Sequence, residues 1–166
     1  GNLRQLVLQR AKEKGFRCRC IRCREVALDQ PSAMAEDDTL LYREERYHAS
    51  GGTEIFGSFE YSKSEKIAAF VRVRLPSETA HRPEMAGSAV VRELRVYGRV
   101  VGVGRKNDSA WQHRGLGASL MESAEKTARE QLGSTRMLVT SAVGTRNYYR
   151  RLGYERMGPY MAKGLR

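Results

Sequence analysis

The chain has 166 residues, 40% of them hydrophobic and 30% charged, with a formal net charge of +11. This length suits one domain with a sizeable core. No apolar run approaches the ~20 residues of a membrane helix, so a soluble protein with no membrane partner is expected.

Residues 2–14, NLRQLVLQRAKEK, place Leu3, Leu6, Val7 and Ala11 on one stripe, with Asn2 as a cap and Gly15 as a stop. They predict a short basic amphipathic helix. Arg4, Arg10, Lys12, Lys14, Arg17, Arg19, Arg22 and Arg24 stand against the single acid Glu13. This segment therefore carries seven of the eleven net charges. A cluster of that size attracts a polyanion such as nucleic acid through counterion release, and otherwise forms a solvated basic face.

Cys18, Cys20 and Cys23 lie within the same segment. An odd, crowded trio makes a poor disulfide framework and points to a reducing, cytoplasmic setting. Three soft thiolates on a tight turn suit Zn²⁺, with a fourth ligand from His48, His81, water or another domain, and they could equally remain free thiols. The stretch LDQPSAMAEDDT then reads as a linker, which divides the chain into a basic, cysteine-containing segment over 1–30 and a main domain over 38–166.

Three runs with β-branched and aromatic residues follow, TLLYREERYHA, TEIFGSFEYS and KIAAFVRVRLP, separated by Ser50-Gly51-Gly52 and Ser62-Lys63-Ser64-Glu65. They predict an antiparallel meander. A loop over 76–88 leads to a fourth strand, AVVRELRVYG, over 89–98. After a glycine-rich loop, QHRGLG opens a helix over 115–132 whose apolar stripe is Leu116, Leu120, Met121, Ala124, Ala128 and Leu132. Glu122 with Lys126, and Glu125 with Arg129, are spaced to pair on its wet side. MLVTSAV (137–143) predicts a buried strand, RNYYRRL a short helix, and YERMG with PYMAKGL a closing pair of strands.

A glycine-bearing loop that ends in a helix aims free backbone N–H groups at an anion, and the helix dipole favours a phosphate there. Gly115 and Gly117 would let the backbone approach closely, although two glycines also begin ordinary helices. No Gly-Lys-Ser/Thr follows, so this is not a Walker loop.

The order of QHRGLG and NYYRRLGYE resembles the two cofactor segments of GNAT-type N-acetyltransferases. VRELRVYG, QHRGLG, VGTRNYYRRLGY and GPYMAKGL, with CRCIRCREV, further resemble the acetyltransferase region of the Elongator catalytic subunit. The resemblance implies an α/β fold with a mixed, mostly antiparallel sheet flanked by helices. It implies acetyl-CoA held by Gln112, His113, Arg114, Gly115, Leu116 and Gly117, with strand backbone from Leu94 and Val96 and further contacts from Asn147, Tyr148 and Tyr149. Tyr149 would protonate the leaving thiolate, and Glu93 is the candidate base.

The same resemblance implies tRNA as partner and C5 carboxymethylation at the wobble uridine as the modification. It also implies a radical S-adenosylmethionine domain of the same polypeptide, with its iron–sulfur cluster. The spacing Cys-x-Cys-x-x-Cys differs from that cluster's motif, so this chain is expected to be a fragment without that domain. Two alternatives stay open: a protein lysine acetyltransferase that relies on Glu93, and a non-enzymatic module binding zinc and nucleic acid.

Overall fold

The computed structural model describes residues 2–26, 38–97 and 115–165. The framework of the described residues is a seven-stranded sheet in the order β1-β2-β3-β4-β5-β7-β6. The strands are β1 (Leu40–Ala49), β2 (Gly52–Tyr61), β3 (Ile67–Leu75), β4 (Ser88–Val96), β5 (Arg136–Val139), β6 (Glu155–Met157) and β7 (Tyr160–Gly164). Of these strand pairs only β4–β5 is parallel, so the expected mixed, mostly antiparallel sheet is present.

The β1–β2–β3 meander forms where the alternation predicts it. Its first turn carries Ser50 and Gly51 at φ 47° and 70°, the paired positive values that match the right-handed twist of a tight hairpin. β1 lies at the sheet edge and is exposed on most positions. The predicted 137–143 strand is shorter than expected: β5 stops at Val139, and residues Val143–Thr145 form a 3₁₀ turn before α3 (Arg146–Arg151).

Helix α2 (Leu116–Glu130) lies against one face of the sheet and buries Leu120, Met121, Ala124 and Ala128 over Ile55, Val71, Val91, Met137 and Val139. At roughly 25 cal/mol per Å² removed from water, each of the larger side chains contributes about 1.5–3 kcal/mol. Gly133 at φ 62° ends the run, and the N–H of Ser134 reaches back to the Ala128 carbonyl at 2.9 Å. Glu125 is a correction to the expected wet-side pairing. It turns inward, accepts a hydrogen bond from Tyr154 Oη at 2.7 Å and pairs with Lys163 at 2.7 Å.

Helix α1 (Leu3–Glu13) forms as predicted and stops at Gly15, but Asn2 makes no side-chain cap. Its stripe of Leu3, Leu6 and Val7 is exposed, so the helix is amphipathic without a covered face among the described residues. The segment after it docks on the sheet face opposite α2. Val26 packs with Ile67, Phe70 and Tyr97, Glu25 bridges to Ile67, and the N–H of Ile67 donates to the Arg24 carbonyl at 2.6 Å.

Candidate functional site

The site is built where β4 and β5 part. The two strands are paired from Ser88 with Arg136 to Val91 with Val139, after which β5 ends while β4 continues five residues to Val96. The wedge that opens is lined by Leu94, Val96, Gly115, Gly117, Ala118, Thr145, Tyr148 and Tyr149 around a cavity of about 370 Å³.

The N-terminus of α2 forms one wall. Gly115 sits at φ 92° with nothing described near the position of a Cβ, so glycine is required there by conformation rather than by crowding. No described side chain caps this end, which leaves the first-turn N–H groups beside the cavity as donors for an anion. Gly117 is constrained differently. A Cβ there would stand 2.7 Å from Tyr148 Oη and 3.4 Å from Val96 Cγ2, so the small residue is demanded by packing within the chain.

Helix α3 supplies a second wall, its Tyr148 hydroxyl against Gly117. The Tyr148 and Tyr149 rings meet edge to face at 5.1 Å, and Tyr149 meets Tyr154 at 5.9 Å. The Tyr148 hydroxyl is buried without a hydrogen-bond partner among the described residues, a costly arrangement for a polar atom. Burial raises the pKa of Tyr148. Burial, then the neighbouring Tyr148, raises that of Tyr149, so both phenols hold their protons throughout the neutral range.

Six of the predicted cofactor residues, Leu94, Val96, Gly115, Gly117, Tyr148 and Tyr149, therefore converge on one cavity. Leu116 instead packs against the core, and Asn147 is exposed, accepting a hydrogen bond from Arg150 at 2.6 Å. Gln112, His113 and Arg114 lie outside the described residues. Ala118 and Thr145 join the lining without having been singled out. Thr145 belongs to the VGTRNYY stretch, but only the turn after β5 brings it to the wedge.

Glu93 points away from the cavity, because side chains alternate along a strand and its neighbour Leu94 points in. Its two carboxylate oxygens are engaged by Arg95 at 3.2 Å and Arg72 at 3.7 Å. Arg92, which precedes it on β4, pairs with Glu54 instead.

The three cysteine sulfurs lie within 4.8 Å of one another. Tetrahedral Zn²⁺ with bonds of ~2.3 Å would set them about 3.8 Å apart, so the trio fits the ion after a small contraction. Among the described residues neither His48 nor His81 joins the cluster. His48 contacts Thr53 across the hairpin, at the opposite end of β1 from the docked segment. Arg4 donates to Cys23 Sγ at 3.0 Å and Cys20 Sγ at 3.7 Å, and the hydrogen bond from Arg4 leads in lowering the Cys20 thiol to about 6. Burial leads in raising that of Cys23.

The basic residues divide into two groups. Arg17 donates to the Ser64 carbonyl, Arg19 pairs with Glu65 at 3.0 Å, and Arg24 pairs with Glu60, so these three hold the segment to the sheet. Arg10 pairs with Glu13 at 3.5 Å on the surface of α1. Lys12, Lys14 and Arg22 are exposed.

Residues 60–165 match the family model described as an acetyltransferase (GNAT) domain. The chain is 45% identical over 99% of its length to Elongator complex protein 3 of Dictyostelium discoideum, of which it covers 30%. It is 42% identical over 99% of its length to the tRNA uridine(34) acetyltransferase of Methanocaldococcus infernus, covering 31% of that protein. It also resembles the solved structure of the N-terminally truncated Elp3 of Methanocaldococcus infernus, with a TM-score of 0.85 and 43% identity over 99% of this chain and 39% of that one. The chain thus spans about a third of the length of the curated relatives it matches.

Proposed function

Because this chain belongs to the GNAT acetyltransferase family, we propose that it binds acetyl-CoA in the wedge between β4 and β5 and opens the thioester for wobble-uridine modification of tRNA. The observation that carries this reading is the convergence, on one cavity, of a helix N-terminus that no described side chain caps, a splayed strand and two protonated tyrosines. Acetyl-CoA supplies the activated acetyl group. The first-turn N–H groups of α2 are suited to its pyrophosphate, and the edge of β4 that β5 leaves uncovered beyond Val91, among the described residues, to its pantetheine arm. Tyr149 Oη holds a proton for the departing sulfur, and the Tyr148 hydroxyl offers a second donor beside it.

The relatives' names supply the substrate class, tRNA with uridine 34 as the modified position. The carbon chemistry would belong to a radical S-adenosylmethionine domain of the full-length polypeptide, and the chain as given would perform only the acetyl-CoA half. Cys18, Cys20 and Cys23 would hold Zn²⁺ as a structural ion, with a fourth ligand from outside the trio. A protein lysine acetyltransferase is the weaker alternative, since both oxygens of its candidate base Glu93 already face arginines.

Calorimetry with acetyl-CoA, followed by thioester hydrolysis with and without tRNA, tests the proposal. Binding plus tRNA-stimulated hydrolysis is expected. A folded protein that binds no acetyl-CoA would refute it.

A further inference from the structure

Alternation along β4 sends Leu94 and Val96 into the cavity and Glu93 and Arg95 to the opposite face. On that face a chain of ion pairs crosses the sheet: Arg95 to Glu93 at 3.2 Å, Glu93 to Arg72 at 3.7 Å, Arg72 to Glu54 at 3.3 Å, and Glu54 to Arg74 at 3.1 Å. Arg92 also pairs with Glu54, a carboxylate only 1% exposed. Farther along, Glu60 holds Arg24 and Arg43. Arg24 belongs to the basic N-terminal segment, which packs against this same face through Val26, Phe70 and Tyr97.

Folding therefore joins two basic regions that are distant in sequence. The surface remains open, with the Arg43, Arg92 and Arg95 side chains 58%, 47% and 60% exposed. Tyr47 lies on it too, its hydroxyl donating to Glu54 at 3.3 Å and its ring partly exposed.

We propose that this face is an RNA-backbone binding surface that runs from the N-terminal segment across β3 and β4 to the rear of the acetyl-CoA wedge. The choice of RNA rests on the tRNA reading above; the surface itself is additional to it. Guanidiniums already oriented by buried or half-buried carboxylates lose little freedom on meeting a phosphate, and their planar forks suit its oxygens. Glu54 and Glu93 also keep neighbouring arginines from repelling one another, so several can stand side by side. An exposed tyrosine among them provides a stacking platform for an unpaired base. Contacts of this kind supply affinity and direction without reading sequence.

The test uses the full-length protein with Arg43→Glu and Arg95→Glu, which alter exposed side chains and leave the cavity lining intact. Each is expected to weaken tRNA binding roughly tenfold near 0.1 M salt and to reduce the slope of log affinity against log salt by about one. Arg95→Lys should recover most of the loss, and acetyl-CoA affinity should stay unchanged in all three. Thiouridine-substituted tRNA should cross-link to peptides of β3 and β4 as well as to residues 2–24. Unchanged affinity and slope in both charge reversals, or cross-links confined to 2–24, would overturn the inference while leaving the acetyl-CoA proposal standing. Displacement of tRNA by polyglutamate as readily as by an unrelated RNA hairpin would overturn it in favour of an acidic protein partner. Failure of the wild type to bind acetyl-CoA would instead sink the proposed function, with the RNA result still measurable.

Discussion

Replacing Tyr148 by Phe removes one atom, and the structure assigns that atom opposite effects in the free and liganded protein. In the free protein the hydroxyl is buried, without a partner among the described residues, against Gly117 of α2. An unsatisfied polar group of this kind costs about 1–3 kcal/mol. The void left by its removal, on the order of 10 Å³, returns a penalty of only about 0.2 kcal/mol at ~24 cal/mol per Å³. A net gain of about 1 kcal/mol should raise the melting temperature by roughly 2–4 °C in a chain of this size. With acetyl-CoA bound, the variant lacks a donor worth about 0.5–1.5 kcal/mol, so its affinity should fall between roughly twofold and tenfold and its ligand-induced thermal shift should shrink. Gly117→Ala provides a coupled check, because its methyl overlaps only the hydroxyl at less than 3 Å. It should destabilise the wild type and be neutral or stabilising in the Tyr148→Phe background, where alanine gains up to about 1 kcal/mol of helix propensity. Differential scanning fluorimetry with and without acetyl-CoA measures all of this. A Tyr148→Phe protein that melts lower when free, or binds acetyl-CoA unchanged, would refute the reasoning.

Three further outcomes are expected. Tyr149→Phe should keep acetyl-CoA affinity and slow thioester cleavage, and since burial raises this phenol's pKa, the wild-type rate should not fall between pH 7 and 9; stopped assays across that range would expose an acid of lower pKa. Burial pushes the Glu54 carboxyl up, but the hydrogen bonds from Arg74 and Arg92 outweigh it and hold the group below its ordinary value of 4.5. Its stabilising contribution is therefore complete above that ordinary value and is lost as the pH falls through the depressed pKa. Glu54→Gln should cost about 1.5–3 kcal/mol at pH 7 by removing the carboxylate that Arg72, Arg74 and Arg92 share, and the gap to wild type should narrow as the pH falls below 4.5 in denaturant titrations. Cys18→Ser should abolish the uptake of one Zn²⁺ per chain, as read by chelator release and absorbance, and undiminished uptake would remove the trio from the metal site.

Much of the fold was legible because its signals are local. Alternation, a Ser-Gly-Gly turn and a helical stripe each depend on neighbours a few residues apart, and the meander, α2 and the closing hairpin follow from them. The shortness of β5 and the inward turn of Glu125 depend on residues far away in sequence. Lys163 and Tyr154 draw that carboxylate under the sheet, and no helical spacing encodes them. The cavity was legible through its glycines and tyrosines, although one glycine proved to serve Tyr148 rather than a phosphate alone. The basic segment was legible as charge but not as architecture. Arg17, Arg19 and Arg24 spend their charge on Ser64, Glu65 and Glu60, which a count along the chain cannot distinguish from free cations.

The outer strand β1 presents ten residues at one margin of the described sheet, with no described strand paired to it on that side. Such a margin invites a second chain to add itself and begin an aggregate, and four consecutive charges, Arg43, Glu44, Glu45 and Arg46, stand at its centre. A newcomer in register would have to bring like charges together or strip several of water. Neutralising the exposed pair Glu45 and Arg46 would leave the monomer's core untouched and make it far more prone to precipitate on concentration.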